Sequence, residues 1–460
     1  MKSPSKNIII HFIGIGGIGM SGIAELMFDL GYCVQGSDLK INENILRLEK
    51  KGIKIFIGHN KKNIKKITSA VYSSAISKKN IEIIACKKQS IPLVSRADML
   101  AELMKNKKSI AVAGSHGKTT TTSLIGHILD SAKFDPTIVN GGIINSYSKN
   151  NKFGKGDWLI AEADESDGSF LKLPHEISII TNIDIEHLDY YKTKENLISA
   201  FEKFILNLPF YGYSIICIDN NYLKNIEKKI KNKNIITYSL KNHKADVYIY
   251  NINNDLKSSY FSLKINKVIN GYKGNHNFTI RLLGNHNILN GSASIISSLV
   301  AGVKINKIKQ SLKNYNGVKR RFTLLGKKNK SLIYDDYAHH PTEIKATYLA
   351  AKKINKNIVV VFQPHRYSRT KLLMKDFVEI LSKVNKLYLL KTYPAGEKII
   401  KGATSKNLHS SLIKKNKNVI YIDNNLILNE LLKKDSLQKK LIIFMGAGSI
   451  TNLAYHFMKN

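Results

Sequence analysis

Cysteine is scarce: Cys33, Cys86 and Cys217 are the only three in 460 residues, and they lie far apart. No CxxC pair exists, which excludes a disulfide framework and a zinc knuckle and fits a reducing compartment. No apolar run reaches the roughly 18–20 residues that cross a bilayer. The opening MKSPSKNIIIHFIGIGG runs into a glycine turn rather than a cleavable apolar segment, so a cytoplasmic protein with no membrane partner is expected. Acidic residues are few, 34 against 72 Lys and Arg, for a formal net charge of +38. Such a field attracts polyanions whatever the fold. Arginine, however, is nearly missing. Only seven of the 72 basic residues are Arg, and the lysines are scattered among Ile and Asn, as in KKNIKKI and KKIKNKNII. That is a drift of composition along the whole chain rather than a basic patch, and no motif of stacked aromatic and basic residues accompanies it, so no nucleic-acid partner is expected. Where Lys dominates so far, a retained Arg is expected where a planar fork is needed to grip a carboxylate or phosphate. The seven are Arg47, Arg96, Arg281, Arg320, Arg321, Arg366 and Arg369.

With 43% hydrophobic and 23% charged residues the chain is globular and too long for one core; domains of roughly 100–200 residues make three the working number. The first segment predicts a strand over Ile8–Ile13, a glycine turn, a helix over Met20–Leu30, and a strand over Tyr32–Gln35 ending in Gly36-Ser37-Asp38. That is the opening of a βαβ unit. Strand-like runs at Ala70–Ser73 and Ile91–Val94 continue it to about Lys108. A strand over Ser109–Ala113 then enters a glycine loop and a Thr-rich helix, which starts a second nucleotide-binding unit. Strands over Trp158–Ala163, Ile177–Thr181 and Ser214–Ile218 predict a parallel sheet with helices on both faces, and 219–280, rich in Lys and Asn, reads as an irregular part with short strands. After Gly317, strands over Leu332–Asp335, Ile358–Phe362, Lys386–Leu390 and Leu441–Met445 predict a third α/β unit. The expected domains are 1–108, 109–316 and 317–460.

Gly14-Ile15-Gly16-Gly17-Ile18-Gly19 lies between strand and helix, where small residues let backbone N–H groups approach a diphosphate. NAD, another diphosphate ligand and a plain structural turn all fit this loop. Asp38 meets a ribose hydroxyl or caps the next helix. Gly114-Ser115-His116-Gly117-Lys118-Thr119-Thr120 is more specific: strand, shortened phosphate loop, helix. Backbone N–H groups there cradle phosphates, Lys118 neutralises the terminal one, and Thr119 offers its hydroxyl to Mg²⁺. Glu162, Asp164, Glu165 and Asp167 crowd four carboxylates into six residues at a strand end, and they repel unless a cation sits among them. Asn182 to Asp189 ends the next strand with further polar groups, His187 among them, at the edge of a parallel sheet where ligands bind. Asn287 and Asn290 read an adenine edge or cap a helix. Arg320-Arg321 clamp phosphates or pair on the surface, and Arg366 and Arg369, three apart on one face if helical, suit a carboxylate substrate.

Taken together the motifs resemble the Mur ligases of peptidoglycan synthesis over nearly the whole chain. The likeness rests on GIGGIGMSGIAE (14–25), GSHGKTTT (114–121), AEADESDGSF (161–170), TNIDIEHLD (181–189), GNHNILN (284–290), GVKRRF (317–322), DDYAHHPTE (335–343), FQPHRYSRT (362–370) and YPAGE (393–397). Ser115 stands where Thr is usual, and Asp184-Ile185-Glu186 replaces Glu-x-Asp; both keep size or charge. The resemblance implies three α/β domains: a Rossmann-like N-terminal domain, a central parallel sheet of the P-loop ATPase type, and a Rossmann-like C-terminal domain. It implies that the γ-phosphate of ATP moves to the lactyl carboxylate of UDP-N-acetylmuramate and that L-alanine attacks the acyl phosphate. The first loop would then hold the uridine diphosphate, not NAD, through Gly14, Gly16, Gly17, Ile18 and Gly19 with Ser37, Asp38, Ser74 and Arg96. ATP would meet Gly114 to Thr120, Asn287, Asn290, Arg321 and Asp336, between the middle and last domains. Thr119, Glu162 and His187 would hold Mg²⁺, with Lys118, Glu162 and His187 catalytic, and Tyr337, His339, Arg366 and Arg369 would receive L-alanine. A modified lysine assisting a second Mg²⁺ stays open, with Glu202 and Lys203 in the region. A monomer or weak homodimer is expected. The rival within the family adds a preformed tripeptide, and GIGGIGMSGIAE and YPAGE favour the alanine branch over it. A nicotinamide oxidoreductase would leave the loop at Lys118 unexplained.

Overall fold

The computed structural model describes residues 8–73, 75–147 and 149–459, and its strands form three sheets. In the first, β1 (Ile9–Ile13), β2 (Cys33–Asp38), β3 (Lys54–Ile57), β4 (Ser69–Tyr72) and β5 (Leu93–Ser95) run in the order β3-β2-β1-β4-β5, every pair parallel. Parallel neighbours need crossovers that cover the sheet, so apolar strands here alternate with helices. Ile13 registers with Ser37 on one side and with Tyr72 on the other, so the strand ends that carry polar residues lie side by side. The first helix, Ile18–Asp29, starts two residues before the predicted Met20, because Gly17 takes an extended backbone and serves as its N-cap.

The second sheet contains β6 (Lys108–Ala113), β7 (Thr137–Ile144), β8 (Lys149–Lys152), β9 (Trp158–Glu162), β10 (Ile177–Ile180), β11 (Tyr213–Cys217), β12 (Asn234–Ser239), β13 (Val247–Asn254), β14 (Ser259–Ile269) and β15 (Tyr272–Ile280). Their order is β15-β14-β13-β12-β11-β10-β6-β9-β7-β8. The strands from β13 through β12, β11, β10, β6 and β9 to β7 pair in parallel, and β8 closes the edge antiparallel to β7. The expectation of short strands over 219–280 is corrected: β13, β14 and β15 are 8, 11 and 9 residues long. Lysine and asparagine hide a period of two that is present in β14, where Phe261, Leu263 and Ile265 are buried while Tyr260 and Lys264 face water.

The third sheet has β16 (Thr323–Lys328), β17 (Ser331–Asp336), β18 (Ile358–Phe362), β19 (Lys386–Leu390), β20 (Val419–Ile422) and β21 (Leu441–Met445), ordered β16-β17-β21-β18-β19-β20. β18 and β21, IVVVF and LIIFM, are buried at every position and form its centre, as continuous apolar runs do in sheets covered on both faces. The edge strands β16 and β20 escaped the sequence reading. β16 is bulged between Leu324 and Gly326 and pairs antiparallel, and β20 has only four residues. By contacts the chain groups into two compact units. One runs to Ile252 and takes in Tyr260–Arg281 and Leu289–Asn316; the other is the chain from Gly317 onward with Asn253–Ser259 and Leu282–Ile288. Among the described residues no helix is long and apolar enough to cross a membrane.

A buried carboxylate braces the first sheet. Glu82, fully buried on the helix Ile81–Lys88, accepts from Ser37 Oγ at 2.6 Å, His59 Nδ1 at 2.9 Å and Asn63 Nδ2 at 2.6 Å. Burial pushes its carboxyl up, but hydrogen bonds from His11, Ser37 and Asn63 outweigh burial and hold it down at about 2. Relative to an ordinary 4.5, this stabilisation is full above pH 4.5 and is lost as pH falls toward 2. It amounts to about 3 kcal/mol. Glu82→Gln is therefore expected to lower stability by roughly that amount at pH 7, with the gap to wild type closing in urea unfolding below pH 4. A gap that stays constant with pH would show that the ionised carboxylate is not the brace.

Candidate active site

Two glycine loops build the site in the first compact unit. In the first, Gly14 has φ +80°, and the N–H groups of Gly14 and Ile15 both donate to Ser37 O, at 2.8 and 3.0 Å. Gly16 N donates to Asp38 Oδ2 at 2.8 Å, while Asp38 Oδ1 accepts from Leu39 N at 2.7 Å. Asp38 thus shapes the loop, and its reading as a helix cap is corrected: Asn42 caps the helix Glu43–Lys50 by accepting from Ile45 N. A Cβ on Gly16 would come within 2.7 Å of Asn42 and 2.9 Å of Asp38, so only glycine closes this turn. Ser37 is buried with its hydroxyl donated to Glu82, so it holds the loop from behind rather than presenting a group to a ligand. Ser74 lies outside the described residues. Ile18 is exposed at the start of its helix. Arg96 opens the helix Arg96–Met104, lies against Gly19, and reaches Asp164 with Nη2 to Oδ2 at 3.4 Å.

The second loop is folded onto the end of β10. Gly114, at φ +123°, passes so close that a Cβ would sit 2.3 Å from Thr181 Oγ1. Ser115 N donates to Asn182 O at 3.1 Å, His116 N to Asn182 Oδ1 at 2.9 Å, and Thr181 Oγ1 to His116 O at 2.6 Å. Thr181 and Asn182 are functional supports that the sequence reading did not single out. Gly117 takes φ +86° and caps the helix Lys118–Ser131; a Cβ there would meet Asn290 Oδ1 at 2.5 Å. Thr120 is buried in that helix. Asn287, in the helix Asn285–Val300, donates Nδ2–H to Leu283 O just ahead of that helix.

Lys118 Nζ donates to Gly114 O at 2.6 Å and pairs with Glu165 at 2.9 Å. Burial works against its charge, but Glu165, Glu162 and Asp164 outweigh burial and raise its pKa above the ordinary value. Burial also raises Asp164, yet Lys118, Ser166 and Arg96 win and lower it. Thr119 Oγ1 donates to Glu162 Oε1 at 3.1 Å, and the other Glu162 oxygen accepts from Gly141 N at 2.7 Å. His187, in the left-handed region at φ +58°, has Nε2 3.5 Å from Glu186 and 3.8 Å from Glu165. The Thr119 hydroxyl and the Glu162 carboxylate, hydrogen-bonded to one another, are oxygen donors of the kind a hard divalent cation takes. Lys203 is exposed and Glu202 pairs with Lys229 at 2.8 Å, so nothing here supports a metal-bridging role for them.

The second unit gathers another cluster at the ends of β17, β18 and β21. Asp336 is buried and accepts from Phe322 N at 2.6 Å and Ala338 N at 2.7 Å, and burial raises its carboxyl to about 6. Arg321 lies over the Tyr337 ring at 5.1 Å and 3.8 Å from Glu343. Arg320 pairs with the buried Asp335 at 4.0 Å rather than with a surface carboxylate, and its Nη2 donates to Gly446 O at 2.7 Å and Gly448 O at 3.3 Å. Tyr337 meets His339 edge to face at 5.2 Å. The expected helical face with both Arg366 and Arg369 is corrected. Arg366 precedes the helix Tyr367–Leu372 at φ +68°, and only Arg369 is helical. His365 and Tyr393, which the sequence reading left in the background, stack there at 5.5 Å.

Family models cover each of the three sheets in turn: the Mur ligase family catalytic domain over 9–108, the Mur ligase middle domain over 112–298, and the Mur ligase glutamate ligase domain over 320–448. The chain belongs to the Mur ligase family. This Mur ligase is 47% identical to the UDP-N-acetylmuramate–L-alanine ligase of Rickettsia felis over 97% of its own length and 95% of that protein, and 48% identical to that of Rickettsia typhi over 97% and 91%. The crystal structure of UDP-N-acetylmuramate-alanine ligase from Thermotoga maritima superposes with a TM-score of 0.83 at 27% identity, covering 98% of each chain. A murein peptide ligase from Psychrobacter arcticus shares the fold at 0.73 and 21% identity.

The loop geometry makes Gly117 a sharp test. Gly117→Ala in this Mur ligase combines a left-handed backbone with a contact to Asn290, a cost of the order of 1–3 kcal/mol. ATP-analogue affinity by calorimetry is expected to drop about tenfold or more. Unchanged affinity would remove the loop from the nucleotide site.

Proposed function

We infer that this Mur ligase joins L-alanine to the lactyl carboxylate of UDP-N-acetylmuramate, giving UDP-N-acetylmuramoyl-L-alanine, ADP and phosphate in cytoplasmic peptidoglycan precursor synthesis. The observation that carries the reading is full-length likeness to ligases of that name, at 47% identity, and the charged cluster at Lys118 supports it. A free carboxylate is a poor acylating agent and must first gain a phosphate leaving group. Gly114 to Thr120 bind the triphosphate of ATP, and the Lys118 ammonium offsets the negative charge that moves with the γ-phosphoryl group. Thr119, Glu162 and His187 would hold Mg²⁺, which adds charge neutralisation on the phosphates when bound. Asn287, Asn290, Arg321 and Asp336 are assigned to the rest of ATP.

The first glycine loop, with Asp38 fixing its shape and Arg96 beside Gly19, takes the uridine diphosphate. Tyr337, His339, Arg366 and Arg369 receive L-alanine, with the arginines on its carboxylate and its amine left to attack the acyl phosphate. The domain limits 1–108, 109–316 and 317–460 follow the same reading. So do a monomer or weak homodimer and the absence of a nucleic-acid or membrane partner.

ADP and phosphate are expected to appear only when UDP-N-acetylmuramate and L-alanine are both supplied, as read by a coupled ADP assay. Equal turnover without an amino acid, with NADH or DNA, or with a preformed tripeptide in place of L-alanine would overturn the assignment. Arg366→Lys is expected to weaken L-alanine use about tenfold or more, the scale of a charged hydrogen bond of about 1.5–3 kcal/mol. Unchanged L-alanine kinetics would take Arg366 out of the carboxylate grip.

A further inference from the structure

Every N–H of the Lys118 ammonium is already committed. An ammonium carries three of them and accepts nothing. Lys118 Nζ donates to Gly114 O at 2.6 Å, to Ser115 O at 3.3 Å and to Glu165 Oε1 at 2.9 Å, and Glu165 Oε2 lies equally close. Two of these acceptors are uncharged carbonyls of the loop itself. The third is a carboxylate only 2% exposed, and it alone carries charge as a phosphate oxygen does.

Of the three carboxylates around the ammonium, Glu165 is the one hydrogen-bonded to it. Glu162 is occupied by Thr119 Oγ1 and Gly141 N. Asp164 accepts from Ser166 N at 3.0 Å and has a cation of its own in Arg96 at 3.4 Å. The backbone of Glu165 is pinned as well, because its carbonyl accepts from Tyr191 Oη at 2.5 Å and from Gly168 N at 3.1 Å. His187 Nε2 stands 3.8 Å from the same carboxylate. The pair is therefore a fixed contact between two held elements, the phosphate loop and the turn that follows β9.

We propose that Glu165 is an internal stand-in for phosphate, which holds the Lys118 ammonium in the loop and yields it to the nucleotide, so that ATP binds by displacing a carboxylate. The inference rests on the reading of Gly114 to Thr120 as the ATP site. A phosphate oxygen that takes an N–H of Lys118 takes it from an acceptor already there. Two anions on one buried ammonium also repel each other, with little water between them to screen the charge. Glu165 is thus a positioning residue that keeps the lysine charged and aimed, and its grip subtracts from ATP affinity. A carboxylate that stayed on the lysine while the lysine gripped phosphate would add to affinity instead. The two roles differ in sign.

Calorimetry of a non-hydrolysable ATP analogue with Mg²⁺ reads that sign. It is done at pH 8, where the Glu165 carboxyl, raised by burial to about 7, is ionised. Glu165→Gln is expected to bind the analogue about tenfold more tightly than wild type, the scale of one charged hydrogen bond, and to lower the KM for ATP with no rise in kcat. Asp164→Asn should stay within about threefold of wild type, and in a Lys118→Met background Glu165→Gln should move the affinity by less than about threefold, because the contact it removes is gone. Glu165→Asp keeps the charge one methylene short. It should tighten binding in the same direction by less, and it carries the test where Glu165→Gln does not fold. Weaker or unchanged binding in the Glu165 variants, equal tightening by Asp164→Asn, or tightening that survives Lys118→Met overturns the proposal alone. A wild-type chain that does not bind the analogue overturns the ATP reading and this proposal with it.

Discussion

The ammonium of Lys118 stands among Glu162, Asp164 and Glu165, and the local structure depends on that one charge. Three carboxylates at the end of β9 repel each other and burial disfavours their charge; the lysine opposes both effects and lowers Asp164 against burial, while burial still raises the Glu165 carboxyl to about 7. Its position is set by a backbone that only glycine permits, since Gly114 runs into Thr181 and Gly117 into Asn290 if either gains a Cβ. The strain of the loop and the charge of the lysine are therefore one device. The left-handed turns aim the side chain, and the buried Glu165 carboxylate holds it. A phosphate entering this loop meets a cation already desolvated and oriented, which is the condition for strong electrostatic help to phosphoryl transfer.

The same cluster is tied to the first sheet. Arg96 lies against Gly19 and reaches Asp164 with Nη2, so one side chain spans the end of the first loop and the acidic end of β9. Further along, Asn150 Nδ2 donates to Ile18 O at 2.8 Å and Lys149 pairs with the buried Glu25 at 3.0 Å. The two β8 residues thereby grip the first helix at its origin and along its middle. On the proposed reading, in which the two loops present a carboxylate and a phosphoryl group to each other, fixed spacing matters because misplacement by an ångström costs orders of magnitude in rate. Arg96 and β8 supply that spacing within the first compact unit.

Much of this was legible in the residues. The central strands announce themselves as apolar runs, and β18, β19 and β21 lie where the runs predict. Gly114 to Thr120 spells out its own loop, because cradle, cation and hydroxyl are adjacent in sequence. What stayed hidden is what depends on distant partners. Ser37 looks like a ligand contact until Glu82, 45 positions away, is seen to take its hydroxyl. Asp38 offers two readings, a ribose contact or a helix cap, and the N–H of Gly16 holds it in the loop rather than at the start of the next helix. The regular strands β13 to β15 were masked by lysine and asparagine, which lower the hydropathy of exposed positions without disturbing the alternation beneath. Arg366 was placed on a helix by spacing alone, and its positive φ takes it off that face.

The scarcity of arginine sharpens the reading of those that remain. Arg320 Nη2 reaches two carbonyls while the guanidinium carbon lies 4.8 Å from the centre of the Tyr337 ring, and a lysine ammonium has no flat face to lay there. Arg369 donates to an imidazole and to the backbone carbonyl of the same residue, which fixes a tautomer rather than merely supplying charge. Arg47 touches Glu25, Ser21 and Asn150 together. Arg281 is simply exposed, so composition alone does not make every arginine functional. The distinction lies in geometry. In a chain where lysine serves wherever a positive charge suffices, the guanidinium persists where direction matters, as where Arg369 Nη1 donates to His365 Nδ1 and fixes its tautomer.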